Sequence, residues 1–336
     1  MATSTANRTW VRVGLRVLVL GASLAIGLGF LGAWVLAFDS VAQFRVHLAV
    51  LLLLAAPIVV WMRLRASAAF AVLIAALGIG SAAPFFLAEK ADPSASGAVY
   101  TLLQMNVLWK ASDPTEAIRR IADARPDIVT LEEITPEWQA ALSSLDTTYP
   151  FRVFCQDADG FHGDSAILSR RPFVAGTGTH CDSRNSLALA RVDLNGTPVT
   201  VAAHHQLWPW PGEQWQRFER IRETLGVLPE PVLLAGDFNS VPWSAFLSAY
   251  AEATRTRVVP GIGPTWFPEQ VSAEWGRYFG LGIDNVLASP AISIVRTERL
   301  KATSSDHLPV LVHFRVAPSQ PEAPQPEAPS VDVAGG

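Results

Sequence analysis

Charge is scarce in this chain. Only 17% of its 336 residues are Asp, Glu, Lys or Arg, and 50% are hydrophobic, whereas ordinary soluble proteins carry about 25% charged residues. A disordered or fibrous protein is thereby excluded, and a membrane portion is expected. Cysteine is nearly absent. Two residues, Cys155 and Cys181, cannot build a small disulfide scaffold or a four-cysteine zinc site. Neither a phosphate-cradling glycine loop nor a serine nucleophile elbow occurs. Basic residues thin out along the chain. Residues 1–90 hold seven Lys/Arg against two Asp/Glu, a balance of +5, and residues 91–336 hold nineteen against twenty-eight, a balance of −9. The long C-terminal part thus lacks the polybasic surface that usually holds duplex DNA.

The N-terminal ninety residues contain long apolar runs. Val17–Phe38 is 22 residues without a charge, Leu48–Met62 is 15, and Ala66–Ala88 is 23. A helix needs about 20 apolar residues to cross the hydrocarbon core. The first and third runs meet that length. The second is short and contains Pro57, so it must thin the bilayer or borrow residues from Val41 onward. The first run is longer than the roughly 7–15-residue core of a signal peptide, and two more runs follow it, so it reads as an anchor. Arg8, Arg12 and Arg16 precede the first run, and Arg63 and Arg65 separate the second from the third. The positive-inside rule then predicts a cytoplasmic N-terminus and, after three crossings, an extracytoplasmic position for everything beyond Ala88. An oxidising compartment permits a Cys155–Cys181 bridge, although spacing alone leaves two buried thiols equally open.

Beyond a polar linker at residues 89–98, which reaches at most about 35 Å when extended, short apolar strands alternate with a few helices. Strands are expected at VYTLLQMNV, DIVTL, SAILS, LALARVDL, TPVTVAAHH, PVLLAGDF, GIDNVLAS and LPVLVHFRV. Helices are expected from Ser112 to Ala124, Pro136 to Leu145 and Gln214 to Leu225, and an Asn195–Gly196 hairpin turn joins two of the strands. Many strands with few helices predict an α+β sandwich rather than a doubly wound sheet. The tail at 317–336 repeats QPEAP and is expected to be disordered.

Polar residues that a core would not select fall at the strand ends: Asn106, Glu132 and Glu133, His204 and His205, Asp237 and Asn239, Asp284, and Asp306 with His307. Strand ends meet at one edge of a sandwich, so one site can collect them. Carboxylates and an amide oxygen suit a hard cation such as Mg²⁺. Histidine suits a general base, and further His and Asn donors suit phosphate oxygens. The set suits metal-assisted attack of water on a phosphoester. His313 reads as structural, and His162 and His180 as loop residues. Trp208 and Trp210 either pack their loop or form an aromatic lip toward substrate or headgroups.

The phrases QMNV, DIVTLEE, GDSAILSRRP, AAHHQLWPWP, LLAGDFNSVP, GIDNVLAS and SSDHLPVLV resemble, in order, those of the endonuclease/exonuclease/phosphatase superfamily, whose members include DNase I, inositol polyphosphate 5-phosphatases and neutral sphingomyelinases. The resemblance implies a DNase I-like, four-layer α-β-β-α sandwich over residues 99–316, which follows the three transmembrane helices expected from hydropathy in residues 1–88. It implies Mg²⁺, with Mn²⁺ as a substitute, held by Glu133 with Asn106 and with Asp306 contributing. It makes His307 the base oriented by Asp284. His205 and Asn239 would hold phosphate oxygens, and Asp237 would position the water or the leaving oxygen. Glu132 precedes Glu133 where the family usually has Gln, and His204 stands where it usually has Thr or Ser, so each neighbouring pair leaves two assignments open. Asn285 replaces a frequent His, and a nucleic-acid contact carried there would be absent. The layout of anchor and domain also resembles the bacterial teicoplanin-resistance (VanJ-type) membrane proteins, whose implied substrate is undecaprenyl pyrophosphate. The expected protein is a multi-pass membrane hydrolase whose partners are the bilayer and a phosphorylated lipid, with an extracytoplasmic nuclease as the alternative.

Overall fold

The computed structural model describes residues 2–89, 97–111, 113–155 and 164–317. Most of the expected linker, the C-terminal tail and His162 lie outside the described residues. The chain forms a helical N-terminal region and a two-sheet α+β sandwich.

Helix α1 (Ala2–Gly29) precedes a short α2 (Leu36–Ala42), then α3 (Arg45–Trp61) and α4 (Arg65–Ala82). This corrects the expected boundaries. The helix expected across Val17–Phe38 already ends at Gly29, because the chain doubles back there. A Cβ on Gly32 would lie 2.9 Å from Asp39 Cα, so only glycine permits so close an approach. Arg8–Gly29 and Arg65–Phe85 are long and apolar enough to cross a membrane. The middle segment is a pair, α2 and α3, bent by 54°, so the helices amount to two spans, or three if the bent pair counts as one. Arg45 lies at the bend. It is buried, donates to the Gly29 carbonyl at 2.9 Å and to Ser81 Oγ at 3.3 Å, and stacks 4.1 Å from the Phe30 ring. A charged side chain is retained there because the helix ends on either side supply its partners.

In the sandwich, β1 (Tyr100–Asn106), α5 (Thr115–Ala124), β2 (Ile128–Ile134), α6 (Pro136–Ala141), β3 (Phe151–Cys155) and β4 (Asp164–Ser169) come first. They are followed by β5 (Thr179–Asp182), β6 (Leu187–Asp193), β7 (Pro198–His205), α7 (Gln214–Gly226), β8 (Val232–Asp237), α8 (Ala245–Ala253) and β9 (Arg257–Val258). Last come α9 (Ala273–Phe279), β10 (Asp284–Ala288), β11 (Ile292–Arg299) and β12 (Val310–Val316). One sheet has the order β11-β12-β1-β2-β4-β3 and the other β5-β6-β7-β8-β10-β9. Leu102, Ile128, Val201, Ala235, Val286 and Val312 fill the space between the sheets. Alternate residues face outward. Leu103, Met105, Val129 and Leu131 pack with Ile121 of α5 and Trp138 of α6, and Ala202, Leu234 and Leu287 pack with Phe218 of α7 and Phe246 of α8. The result is helices outside two facing sheets. Asn195 and Gly196 take positive φ values of 57° and 87° in the hairpin turn between β6 and β7, as the Asn-Gly pair requires.

Cys155, ending β3 in one sheet, is joined to Cys181 of β5 in the other, with Cα atoms 5.2 Å apart across 26 residues. A loop of that size yields about 3.5 kcal/mol by chain entropy. The last strand begins at Val310, so Asp306 and His307 precede it rather than open it, and His307 pairs instead with Trp266 in an isolated bridge.

The helical region is not merely tethered to the sandwich through the linker. It is hydrogen-bonded to it. The backbone N–H groups of Ala245 and Phe246, which open α8, donate to Asp39 at 2.8 and 3.0 Å. Val241 N donates to Gln43 Oε1 at 2.9 Å, and Trp243 Nε1 to the Ala42 carbonyl at 2.9 Å. Gly261 N donates to the Phe85 carbonyl at 2.9 Å. Asp39 acts as a helix N-cap supplied from 206 residues away.

Candidate active site

Register builds the site. Along the inner face of β7 the residues are Val199, Val201, Ala203 and then His205, and β8 follows with Leu233, Ala235 and Asp237. The parallel pairing of β7 with β8 sets His205 opposite Asp237, and the antiparallel pairing of β8 with β10 sets Asp284 opposite Asp237. In the other sheet, Leu102, Gln104 and Asn106 share the inner face of β1, and Asn106 pairs with Glu132. Side chains of period two that pack a core along a strand therefore deliver polar groups to the same gap at its end.

Glu133 does not follow this rule. Alternation would turn it outward with Leu131. A bulge in β2 between Leu131 and Ile134, together with a φ of 63° at Glu133, re-aims it. Its Oε1 accepts from Asn106 Nδ2 at 2.9 Å and its Oε2 from Trp109 N at 2.8 Å. A left-handed backbone at a non-glycine residue is strain retained by its surroundings. Asn239 shares the feature, at φ 49°.

His307 stands at the centre. Its Nδ1 is 2.8 Å from Asp284 Oδ2, while its Nε2 is 3.6 Å from Asp237 Oδ2 and 4.0 Å from Asp306 Oδ1. Ser305 Oγ accepts from the His307 backbone N–H at 3.0 Å and donates to the Asn106 carbonyl at 2.8 Å, tying the loop before β12 to the end of β1. Burial alone would lower the imidazole's pKa. The charges of Asp284, Asp237 and Asp306 outweigh it and push the pKa up to about 10. Asp237 is buried among these groups, and burial, with Asp284 and Glu133 nearby, raises its carboxyl to about 7. Burial also raises Asp306.

The structure separates both neighbouring pairs. His205 faces the cluster, with Nε2 3.9 Å from Glu133 Oε1 and 3.8 Å from Asp237 Oδ2. Burial lowers its pKa to about 4. His204 takes the opposite face of β7 and points away from the cluster, which corrects its candidacy as a phosphate-binding residue. Its Nε2 meets the Asn185 carbonyl at 3.0 Å and its Nδ1 the Tyr250 hydroxyl at 2.5 Å, and burial lowers its pKa to about 3. Glu132 is fully buried beneath the site. Gln104 Nε2 donates to both Glu132 Oε2 and Asp284 Oδ1, each at 2.9 Å, and burial raises the Glu132 carboxyl well above its ordinary range. Asn285, next to Asp284, also faces outward and donates to the Ser240 carbonyl at 2.8 Å. Gly236, between these positions, faces the His204 carbonyl so closely that a Cβ would lie 1.9 Å from its oxygen.

Three contributors were not singled out from sequence. Gln104 bridges two carboxylates, and a glutamine inside an apolar strand was its signal. Trp266 Nε1 donates to Asp306 Oδ2 at 3.0 Å, and nothing local marks it. Ser305 lies inside the SSDHLP phrase. Asn239 Nδ2 donates to the Gln206 carbonyl at 2.8 Å, which fixes its amide at the rim. Trp208 is half exposed, with its ring edge-on to Trp266 at 5.7 Å between centroids. The Trp210 carbonyl accepts from Ser40 Oγ at 2.9 Å. His313 faces Glu298 at 3.5 Å, outside the site.

The donor set fits a divalent cation. Ligating atoms of Glu133, His205 and Asp237, and of Asp237, Asp284 and His307, lie within 4.8 Å of one another. Asp306 Oδ1 is buried without a hydrogen-bond partner, an acceptor that a positive charge would satisfy. A groove of about 470 Å³, lined by Lys110, Phe267, Glu269, Ser304 and Asp306 among others, opens on the Asp306 side.

A two-sheet sandwich with an Asp–His pair and a knot of carboxylates at its strand ends defines a phosphoesterase class. Residues 103–307 match the Endonuclease/Exonuclease/phosphatase family, and the chain belongs to that family, whose members are phosphoesterase hydrolases. No curated protein matches the sequence. Among solved structures, a humanized D. rerio TDP2 is similar at a TM-score of 0.52 and 18% identity, covering 66% of this chain and 100% of that one. An endonuclease/exonuclease/phosphatase from Bacteroides vulgatus is similar at 0.50 and 14%, covering 66% and 100%. One from Beutenbergia cavernae DSM 12333 is similar at 0.49 and 21%, covering 66% and 72%.

Proposed function

We propose that the protein is a membrane-anchored, divalent-metal-dependent phosphoester hydrolase whose active site lies on the extracytoplasmic side and acts on a lipid-linked phosphate or pyrophosphate. One observation carries this reading most directly. The carboxylate knot around His307 sits in a domain that hydrogen-bonds directly to the bent α2–α3 pair, through Asp39 and Gln43, and to Phe85 at the end of an apolar helix long enough to span a bilayer. The −9 balance of residues 91–336 argues in the same direction, since duplex DNA favours basic partners.

The residues divide the chemistry among them. Glu133 and Asn106, with Asp306 beside them, would hold Mg²⁺ or Mn²⁺, which supplies charge compensation for the carboxylates and polarises a phosphoryl oxygen. Asp284 fixes the His307 ring through Nδ1, and once a bound cation offsets the carboxylate charges that raise the imidazole's pKa, Nε2 can take a proton from water. His205 Nε2 and the Asn239 amide offer donors to phosphate oxygens and to the charge that grows on them. Asp237, within 3.8 Å of both His205 and His307, positions the water or the leaving oxygen.

A second reading is an extracytoplasmic nuclease. A D. rerio TDP2 structure of the same fold was solved with a single-strand DNA product, at a TM-score of 0.52 and 17% identity. The deciding experiment supplies the full chain in detergent with a polyprenyl pyrophosphate or with plasmid DNA, each with Mg²⁺ and with chelator. Metal-dependent phosphate release from the lipid is the expected result. DNA cleavage without phosphate release reverses the order of the two readings.

A further inference from the structure

A second cavity, of about 370 Å³, lies where the bent helix pair meets the sandwich. Val46, Val50, Leu51 and Leu54 of α3 form one wall. Phe85, Phe86 and Trp243 close one end, and Val259, Ile262, Tyr278, Phe279 and Leu281 form the opposite wall. Its polar side chains are mostly committed elsewhere. Gln43 binds Val241 N and Ser240, Asn285 binds backbone carbonyls, and Asp284 binds Gln104 and His307. His47 binds the Phe279 carbonyl through Nε2 at 2.9 Å. What remains is a largely apolar chamber, the usual character of a site for a hydrocarbon group, in whose lining His47 Nδ1 is left without a hydrogen-bond partner.

Its position narrows the occupant. The α3 wall belongs to a helix whose neighbouring side chains are broadly exposed, Leu54 at 70% and Trp61 at 71%, and the opposite rim carries Tyr278 at 71% and Phe279 at 62%. Exposed aliphatic and aromatic side chains on both rims open the chamber toward an apolar medium rather than water. Asp284 and Asn285 are among the residues that line the chamber. The polar groove is lined instead by Lys110 and by Asp306, next to His307. Asp284 and Asp306, the two carboxylates on either side of His307, therefore each face a different cavity, one apolar and one polar. That arrangement suits an amphiphile rather than a uniformly polar nucleic acid.

Resting on the phosphoester-hydrolase reading above, we infer that this chamber receives the hydrocarbon chain of the substrate, so that one molecule is held by its tail between α3 and the sandwich while its phosphate lies among Glu133, His205 and His307. A phospholipid of the bilayer that is never turned over is the rival occupant of the same chemistry.

The test uses the full chain in detergent with Mg²⁺, supplied with butyl pyrophosphate or hexadecyl pyrophosphate, and compares wild type with Val50→Trp, Leu51→Trp and the control Leu53→Trp. Leu53 is exposed on the same helix and does not line the chamber. The expected result is a rise of about tenfold or more in KM for the hexadecyl substrate in Val50→Trp and Leu51→Trp, with the butyl substrate and Leu53→Trp unchanged. Equal effects on both substrates, or on none, overturn the inference. A second arm does not need turnover. A diazirine-bearing hexadecyl alcohol is photolysed with the protein and the cross-links are mapped. Labels on Val46–Leu54 and Ile262–Leu281 that hexadecyl pyrophosphate displaces and butyl pyrophosphate does not are expected. Labels at those positions that no pyrophosphate displaces assign the chamber to a resident lipid and overturn the claim. Absence of turnover with displaceable labelling would instead break the catalytic reading and leave the chamber's occupant standing.

Discussion

Two of the regions that bury carboxylates treat them in opposite ways. At the junction with the helices, Asp39 is 1% exposed, and each of its oxygens accepts a backbone N–H from the first turn of α8. Around His307, carboxylates face one another. Asp306 Oδ1 and Glu132 Oε1 are buried with no partner, and Asp237 Oδ2 is shared among Asn106, His205 and His307. Buried polar groups usually find partners. Where they do, as at Asp39, the group serves the fold. Where several compete for too few donors, the surplus negative charge is held by the surrounding structure and is available for chemistry.

The largest test of this contrast is His307→Ala. Removing the base should lower the rate of metal-dependent phosphoester hydrolysis by about 10²–10⁴-fold, while circular dichroism and the thermal transition stay near wild type. An unaltered rate would remove the site. The next test concerns histidines rather than carboxylates. His204 is held near 3 by burial, whereas the unfolded chain protonates it near the ordinary 6.5. The unfolded state therefore binds more protons between those values, and stability must fall as pH falls through that window, by up to about 1.4 kcal/mol per unit from this group. Denaturant titrations at stepped pH read this slope, and His204→Gln should flatten it.

Asp39→Ala comes third. It leaves the first N–H groups of α8 without their acceptor, at a cost of about 1–2 kcal/mol in denaturation, the range of lost helix caps. Turnover of a short soluble phosphoester should persist. The smallest effect on stability should come from Asp237→Asn. It removes one buried charge from a repulsive group, so the folded protein should hold its stability or gain some, and yet lose most activity. A destabilisation larger than that of Asp39→Ala would erase the distinction between the two regions.

Much of the sandwich was legible because its strands carry long apolar patterns ending in polar residues, as in PVLLAGD and TPVTVAAHH. The strands β3, β5, β9 and β11 and the helices α8 and α9 were not read. β3 and β5 are short edge strands, and β9 has only two residues, so each offers little periodicity. The membership of the site was legible as a set, but its geometry was not. Nothing in Glu132–Glu133 announces the bulge that re-aims Glu133 while Glu132 stays buried beneath the site, and His204 and His205 become distinct only when the inner face of β7 is known. The helix ends in the first ninety residues were misplaced because hydropathy records length. It does not record the Gly32–Asp39 approach where the chain doubles back after Gly29.

The alignment of His205, Asp237 and Asp284 across three neighbouring strands carries a liability of its own. Insert or delete one amino acid within β8, and its carboxylate will project among the helices rather than into the cleft, while a residue with a Cβ replaces Gly236 against the His204 carbonyl. Substitutions at this position would be graded in their harm, whereas frameshifts of register would be all or nothing. A library of single-residue insertions along β8 should therefore yield inert protein.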